Sequence, residues 1–145
     1  MYLVLLGAPG AGKGTQASAI ASKFGWVHVA SGDILRAEVA NDTDLGKTAR
    51  KYMEKGSLVP DDIVIQMILK RISAPDTAVG TILDGFPRTI GQAEALDKEL
   101  QKIGKTINRA LYINVPPERL VKRISGRWIC KQCQTPYHSI SSPPK

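Results

Sequence analysis

The amino-acid sequence predicts an α/β fold in which a parallel sheet carries helices on both faces. Three observations lead to this prediction. Short apolar runs alternate with segments of helical periodicity, the first run leads into a glycine-rich stretch, and an amphipathic helical pattern follows that stretch. Consecutive strands joined through helices form right-handed crossovers, so we expect the strands to lie parallel.

The predicted strands and helices follow from the spacing of apolar residues. The strand candidates are too short for helices and almost free of polar residues, as in strands buried on both faces. They span residues 2–6, 26–30, 81–83 and 110–115. The first helix covers residues 17–24 with Gly25 as its C-cap, and others begin near Asp33, Leu45, Asp61, Thr89 and Pro116, the last with an apolar stripe of Leu120, Val121 and Ile124.

Composition limits the classes of function. A chain of 145 residues with 43% hydrophobic content can bury one core. Its formal net charge of +7 suits an anionic partner such as a nucleotide, a nucleic acid or a membrane surface. No apolar run approaches the roughly 20 residues of a membrane span, so we expect a soluble, cytoplasmic protein without a membrane partner. We also expect a monomer. Aromatic residues make up only 6% of the chain, which argues against nucleic-acid binding.

Residues 7–15, GAPGAGKGT, are typical of a loop that binds phosphate. Backbone amides of a glycine-rich turn can converge on phosphate oxygens, and a helix N-terminus adds a positive dipole end. Lys13 would contact the terminal phosphates. In the common phosphate loop a hydroxyl residue directly follows the lysine and ligates magnesium, whereas here Gly14 stands there and Thr15 comes one position later. A plain strand-to-helix turn would need fewer glycines and no lysine, so we favour a nucleotide site.

Two more polar segments follow predicted strands directly, at residues 31–33 and 84–88. The carboxyl ends of parallel strands meet at one edge of a sheet, so both segments should lie beside the glycine loop. Arg36 and Arg88 can each fork onto phosphate oxygens, and Gly85 with Pro87 makes the turn before Arg88 rigid. An isolated helical arginine is usually solvated, however, and Ser31 could simply cap the helix that follows it.

The pattern GxPGxGKGT, together with ASGDILR at 30–36 and LDGFPRT at 83–89, closely resembles the adenylate kinases, and the register is kept across nearly the whole chain. The resemblance implies a P-loop NTPase-type sheet, a small AMP-binding helical insertion and the start of a lid. The implied domains are a core of residues 1–29 and 60–125, an AMP-binding domain of residues 30–59 and an incomplete lid of residues 126–145. The implied reaction is magnesium-dependent: ATP + AMP ⇌ 2 ADP.

The resemblance also implies residue roles. ATP would contact Gly10, Ala11, Gly12, Lys13, Gly14, Thr15, Arg123, Arg127, Pro136 and Tyr137. AMP would be surrounded by Ser31, Arg36, Ser57, Leu58, Val59, Gly85, Phe86, Pro87, Arg88 and Gln92. Catalysis would rest on Lys13, Arg88, Arg123 and Arg127, with Asp84 holding the waters of magnesium. Two alternatives stay open, because a capping box with Thr89 could account for Gln92 and charge runs such as residues 119–127 are most often solvated.

Cys130 and Cys133 have the spacing of one half of a tetrahedral zinc site. The segment after Gly126 resembles the opening of the long lid in the zinc-bearing branch of the family, where a second pair of ligands follows. We therefore expect structural zinc in a complete lid and weak or absent zinc here, with His138 as a candidate third ligand. A redox pair is the alternative, although these cysteines do not stand at a strand-to-helix start.

The resemblance places further lid arginines, a last strand and a C-terminal helix after the position of Lys145. Without that strand and helix we expect the sheet and the core to expose apolar surface. We therefore expect either a fragment of a longer product or a truncated protein with severely impaired catalysis. The nearest competing enzymes are a GTP:AMP kinase and a pyrimidine monophosphate kinase, of which the long lid argues against the second. A nucleotide-binding module without turnover is the alternative from another class.

Overall fold

The structure of the chain is a computed structural model that describes residues 1–130, 136–139 and 143. Its central sheet has four parallel strands in the spatial order β2-β3-β1-β4, with helices packed against it, and the predicted α/β fold is thereby confirmed. The strands are β1 (Tyr2–Leu6), β2 (Val27–Ala30), β3 (Thr81–Asp84) and β4 (Arg109–Tyr112).

Helices connect these strands, and a short hairpin follows the last helix. The helices are α1 (Lys13–Phe24), α2 (Ser31–Ala40), α3 (Asp44–Met53), α4 (Asp61–Ile72), a 3-10 helix (Pro75–Ala78), α5 (Ile90–Lys102) and α6 (Pro117–Ser125). The antiparallel hairpin pairs β5 (Arg127–Ile129) with β6 (Pro136–His138). Within the part of the chain that the structure describes, no helix combines the length and the apolar character that crossing a membrane requires.

The register of the sheet brings three strand ends to one level. Leu5 of β1 and Ala30 of β2 both pair with Asp84, the last residue of β3. The glycine loop, the start of α2 and the turn after β3 therefore leave the sheet at one edge, which we call the rim. Parallel α/β sheets bind ligands at this edge.

Alternation along β1 directs its side chains to two separate clusters. Tyr2 and Val4 join one buried cluster with residues of α4 and α5, while Leu3 and Leu5 face α1 on the other side. Successive strand residues point to opposite faces, so an unbroken apolar run is required where helices cover both. Each fully buried aliphatic side chain contributes about 1.5–3 kcal/mol, and these two clusters fix the sheet that carries the rim.

The outer strand β4 is exposed. The apolar run at 110–115 is typical of a strand buried on both faces, but β4 spans Arg109–Tyr112 and all four residues are exposed, with Leu111 at 46% and Tyr112 at 68%. The predicted apolar stripe of α6 is also open to solvent, since Val121 is 66% and Ile124 47% exposed. Within the described residues β4 is an edge strand that pairs with β1. An apolar run alone does not indicate whether helices cover the two faces of its strand.

Helices α2 and α3 form a small unit that packs on α4 through a third buried cluster. This cluster joins Ala49 of α3 to Ile63 and Met67 of α4. The two helices approach very closely at Gly46, where a Cβ atom would lie 2.0 Å from the carbonyl oxygen of Glu38. Thr43 begins α3 as its N-cap, with its hydroxyl accepting a hydrogen bond from the Gly46 amide at 3.0 Å.

Candidate active site

The glycine loop joins β1 to α1 in a conformation that glycine favours. Gly7, Gly10 and Gly12 have φ values of 144°, 79° and 97°, which L side chains rarely adopt. At Gly10 space is limiting as well, because a Cβ atom there would lie 2.8 Å from Cγ1 of Ile124. Helix α6 therefore rests directly against the loop.

Lys13, the first residue of α1, folds its side chain back over the loop. Its Nζ donates to the carbonyl oxygens of Gly7 at 2.9 Å and Ala8 at 3.1 Å, and the residue is only partly exposed. The ammonium group is thus held beside the backbone amides at the start of α1. A lysine there presents a compact positive charge to phosphate.

Arg123 reaches the same loop from α6. Its Nη1 donates to the carbonyl oxygens of Gly10 at 3.4 Å and Ala11 at 3.3 Å. The structure therefore brings two predicted phosphate-binding cations, Lys13 and Arg123, to one loop. The other predicted ATP contacts of this region lie in the hairpin, where Arg127 is exposed in β5 and Tyr137 of β6 pairs with Trp128, and Pro136 begins β6.

The absence of a hydroxyl at position 14 has a local steric reason. A Cβ atom on Gly14 would lie 3.3 Å from Oδ2 of Asp84, closer than most Cβ contacts. Glycine leaves the Asp84 carboxylate room beside the first turn of α1. Carboxylate oxygens suit Mg²⁺ and its waters, so the residues present fit a magnesium ion anchored through Asp84 rather than through a loop hydroxyl.

His28 of β2 is a neighbour of Asp84 that the sequence analysis did not identify. Its Nε2 lies 3.4 Å from Asp84 Oδ2, and its Nδ1 lies 3.4 Å from the hydroxyl of Ser18. Nε2 is buried and makes no well-aligned hydrogen bond within the described residues, so the contact with Asp84 is one of ion-pair range only. A histidine inside the apolar run VHVA was the signal that could have found it.

The second part of the rim joins the start of α2 to the turn after β3. Ser31 is 2% exposed, and its hydroxyl donates to the carbonyl oxygen of Gly85 at 2.9 Å. Arg88 donates from Nε to the same oxygen at 2.6 Å and from Nη2 to Ser31 Oγ at 3.4 Å. The alternative that Ser31 caps α2 is wrong, because the helix begins at Ser31 with Ala30 as its N-cap and without a side-chain cap.

The side chains of the remaining predicted AMP contacts differ in their exposure to solvent. Arg36 pairs with Asp33 and folds over Gly32, so its guanidinium lies at the start of α2. Leu58 is 85% exposed between Ser57 and Val59, whereas Phe86 is fully buried in the core. Phe86 can therefore offer only its backbone to a ligand, while the partly buried Pro87 continues the turn towards Arg88.

Gln92 is buried, with 4% of its surface exposed, and both the oxygen and the nitrogen of its side-chain amide form hydrogen bonds. Its Oε1 accepts from the backbone amide of Arg88 at 2.7 Å, and its Nε2 donates to Oδ1 of Asp61 at 2.6 Å. Thr89 caps α5 as expected, accepting from the Gln92 amide at 3.2 Å. The return contact of a capping box would instead reach the Thr89 amide, so that interpretation of the Gln92 side chain is wrong.

Two further features bear on ligands. Cys130 is a partly buried free thiol after β5, while Cys133 lies outside the described residues. Among residues 1–130, 136–139 and 143, no group of three or more His, Cys, Asp or Glu side chains could hold a metal ion. The zinc half-site therefore stays a prediction.

A cavity of about 430 Å³ lies between β2, α2 and α4 and contains none of the predicted nucleotide contacts. Two of its cations are engaged with carboxylates, Lys70 with Glu38 at 3.5 Å and Arg71 with Asp76 at 2.7 Å. The cavity is therefore separate from the glycine loop and from the turn that carries Arg88.

A glycine loop between a central strand and a helix, a lysine folded over it, and a carboxylate at the next strand end define a P-loop NTPase fold. The sequence profile of the family described as adenylate kinase matches residues 5–140. The adenylate kinases of Caldicellulosiruptor bescii and Carboxydothermus hydrogenoformans are each 54% identical over all 145 residues, which cover 67% and 68% of their lengths. That of Methanothrix thermoacetophila is 57% identical, with 67% of its length covered.

The chain belongs to the adenylate kinase family. Its members are nucleoside monophosphate kinases that use Mg²⁺ with ATP, so the predicted class of enzyme is confirmed at the level of the family. The chain spans about two thirds of the length of these curated relatives.

Proposed function

We propose that this chain transfers a phosphoryl group from ATP to AMP and returns two ADP. One observation carries the proposal: two separate cationic clusters lie at neighbouring strand ends. Lys13 and Arg123 contact the glycine loop after β1, while Arg88 contacts Ser31 at the turn after β3. Leu5 and Asp84 pair directly, so the two clusters share one rim, as a reaction between two phosphorylated substrates requires.

In this proposal the chain supplies position and charge. Lys13, Arg123 and Arg127 hold the phosphates of ATP, and Arg88 with Arg36 holds the phosphate of AMP. An AMP phosphate oxygen is already ionised at neutral pH, so the transfer needs no covalent nucleophile and no dedicated general base. The further ATP contacts are Gly10, Ala11, Gly12, Gly14, Thr15, Pro136 and Tyr137, and the further AMP contacts are Ser31, residues 57–59, Gly85, Phe86, Pro87 and Gln92.

Asp84 would orient the waters of the magnesium ion that accompanies ATP. The support is its position beside Gly14, where a carboxylate oxygen faces the first turn of α1. A bound magnesium ion supplies positive charge that neutralises the phosphate oxygens during transfer. The Nε2 atom of His28 lies 3.4 Å from the same carboxylate oxygen, Oδ2 of Asp84.

A coupled assay for ADP formation from ATP and AMP tests the function directly. Arg88→Met should lower kcat/KM for AMP by about a hundredfold, because a charged hydrogen-bonding partner of phosphate contributes roughly 3 kcal/mol. Arg109→Met, an equal change on exposed β4, should leave the rate within about twofold. A strong preference for CMP or UMP would contradict the substrate assignment, and ATP binding without transfer would indicate a binding module.

The domain boundaries are part of the proposal. Residues 30–59 would move as an AMP-binding domain against a core of residues 1–29 and 60–125, with the incomplete lid at residues 126–145. The close packing of α2 on α3 at Gly46 supports a rigid mobile unit. Closure would exclude water from the transferring group. Fluorophores on Thr48 and Lys98 should approach each other when AMP is added, and an unchanged transfer efficiency would argue against closure.

The lid is proposed to be of the zinc-bearing type, with Cys130 and Cys133 as one half of the site. Half of a tetrahedral site binds weakly, so dialysed protein should hold much less than one zinc per chain. One tightly held zinc per chain would overturn this, while Cys130→Ser should remove any binding that is found.

We also propose that the chain works as a monomer on ATP, AMP and ADP alone. Replacing ATP by GTP in the same assay identifies the preferred donor.

A further inference from the structure

The carboxylate of Asp61 connects the start of α4 to the start of α5. Its Oδ2 accepts a hydrogen bond from the hydroxyl of Thr89 at 2.7 Å, and its Oδ1 accepts one from Nε2 of Gln92 at 2.6 Å. Asp61 is also the second residue after the segment 57–59. One side chain therefore links the end of the proposed AMP-binding domain to the region directly after Arg88.

The side-chain amide of Gln92 connects Asp61 to the backbone of Arg88. Its Oε1 accepts from the Arg88 amide at 2.7 Å, and the side chain is buried. Two different partners fix the orientation of the amide, because rotating it by half a turn would set a donor against the Arg88 N–H and an acceptor against the Asp61 carboxylate. A buried group left unpaired in that way costs about 1–3 kcal/mol.

We propose that Asp61 is a positioning residue of the AMP site. Through Gln92 and Thr89 it holds the turn that presents Arg88 and Gly85 at a fixed position relative to residues 57–59. Loss of the carboxylate frees the Gln92 amide and with it the backbone of Arg88, so the binding of AMP weakens while the glycine loop is unaffected. This inference rests on the proposed function for its substrate, but not for its geometry.

A simpler role for Asp61 is available, because acidic residues in the first turn stabilise a helix through its dipole. Asp62 provides the matched control: it lies in the same first turn of α4 and carries the same charge. Of these two carboxylates, Asp61 accepts hydrogen bonds from Thr89 and Gln92. No such bond to Asp62 is found within the described residues. The two carboxylates therefore separate the dipole effect from positioning.

Kinetics of the full chain test the proposal. Asp61→Ala should raise KM for AMP by about tenfold, the effect of one lost hydrogen bond to a charged group, and leave KM for ATP within about twofold. Asp61→Asn should recover most of the loss, because its oxygen still accepts from Gln92 and its amide can donate to Thr89. Asp62→Ala should leave both constants unchanged. Equal increases in both constants, or the same effect from Asp62→Ala, would overturn the proposal.

Hydrogen exchange gives a readout without substrate. In Asp61→Ala the Arg88 amide should exchange about tenfold faster than in the unaltered chain, while Asp62→Ala should leave it unchanged. Unchanged exchange in Asp61→Ala would refute the link even if the chain is an active kinase. If the unaltered chain transfers no phosphate, the proposed function fails by itself, and calorimetry of AMP with the same variants then decides whether Asp61 positions the site.

Discussion

Gly10 meets two requirements at a single position. Its φ of 79° disfavours any L side chain, and Cγ1 of Ile124 occupies the space of a Cβ atom. Gly10→Ala should therefore destabilise the fold by roughly 2 kcal/mol or more and weaken ATP binding by displacing α6 from the loop. Urea denaturation and calorimetry with ATP measure the two effects.

Gly91→Ala is the control for this substitution. Gly91 lies in α5, and a Cβ atom there meets nothing within 4 Å. Alanine should stabilise that helix by up to about 1 kcal/mol and leave ATP binding unchanged. Equal free energies of unfolding for the two variants would show that the close contact between α6 and the loop does not limit the size of residue 10.

At the scale of elements, the contact of α2 with α3 depends on one missing side chain. A Cβ atom at Gly46 would lie 2.0 Å from the Glu38 carbonyl oxygen, so Gly46→Ala must separate the two helices. We expect a loss of about 1–3 kcal/mol in the free energy of unfolding and weaker AMP binding. Thermal denaturation of Gly46→Ala, with Gly91→Ala as the control, measures the loss of stability. Equal melting temperatures for the two variants would contradict the close packing of α2 on α3.

The end of α4 is joined to the 3-10 helix by an ion pair. Two parallel hydrogen bonds connect Arg71 to Asp76, at 2.8 and 2.7 Å. The hydrogen bond from Arg71 holds the pKa of the Asp76 carboxyl below its ordinary value of 3.8, and the same bond raises the pKa of Arg71. The stabilisation is therefore fully present above pH 3.8 and is lost as pH falls through the lowered pKa of Asp76.

Asp76→Asn tests this pH dependence. Its melting temperature should lie slightly below that of the unaltered chain at pH 7, because an exposed pair contributes little. The two melting temperatures should converge as pH falls through the lowered pKa of Asp76. Asp97→Asn, which removes an exposed carboxylate from α5, serves as the control for general charge effects. If the difference in melting temperature between Asp76→Asn and the unaltered chain grew as pH falls, the expected pH dependence would be contradicted.

For the whole molecule, binding of ATP should couple to stability through Lys13. A ligand at a hundred times its dissociation constant stabilises a fold by about 2.7 kcal/mol. Lys13→Met should remove most of the rise in melting temperature produced by ATP with magnesium. Lys23→Met, at the exposed far end of the same helix, should keep it. An equal ATP-induced rise in both variants would place the phosphates elsewhere.

Much of this architecture could be predicted from the sequence. Residues close in the chain determine the strands predicted at 2–6 and 26–30, the helix end at Gly25 and the cap at Thr89. Local patterns indicate such features well, and β2 differs from its prediction by one residue. The rim followed from the rule that parallel strands end together.

Long-range contacts could not be predicted in this way. Asp61 and His28 act on residues far along the chain, and only the folded register brings them to Gln92 and Asp84. The apolar run at 110–115 did not by itself indicate that β4 is exposed, since these residues are apolar whether or not a helix covers them.

The place of β1 in the sheet has a consequence for the synthesis of the chain. Tyr2 pairs with Thr81, and Leu3 pairs with Arg109, so both neighbours of the first strand are translated long after it. β1 leaves the ribosome before these neighbours and is not paired on both sides until the chain as far as residue 112 has emerged. Helix α1 can form meanwhile, but the nucleotide loop gains its shape only when the late strands arrive.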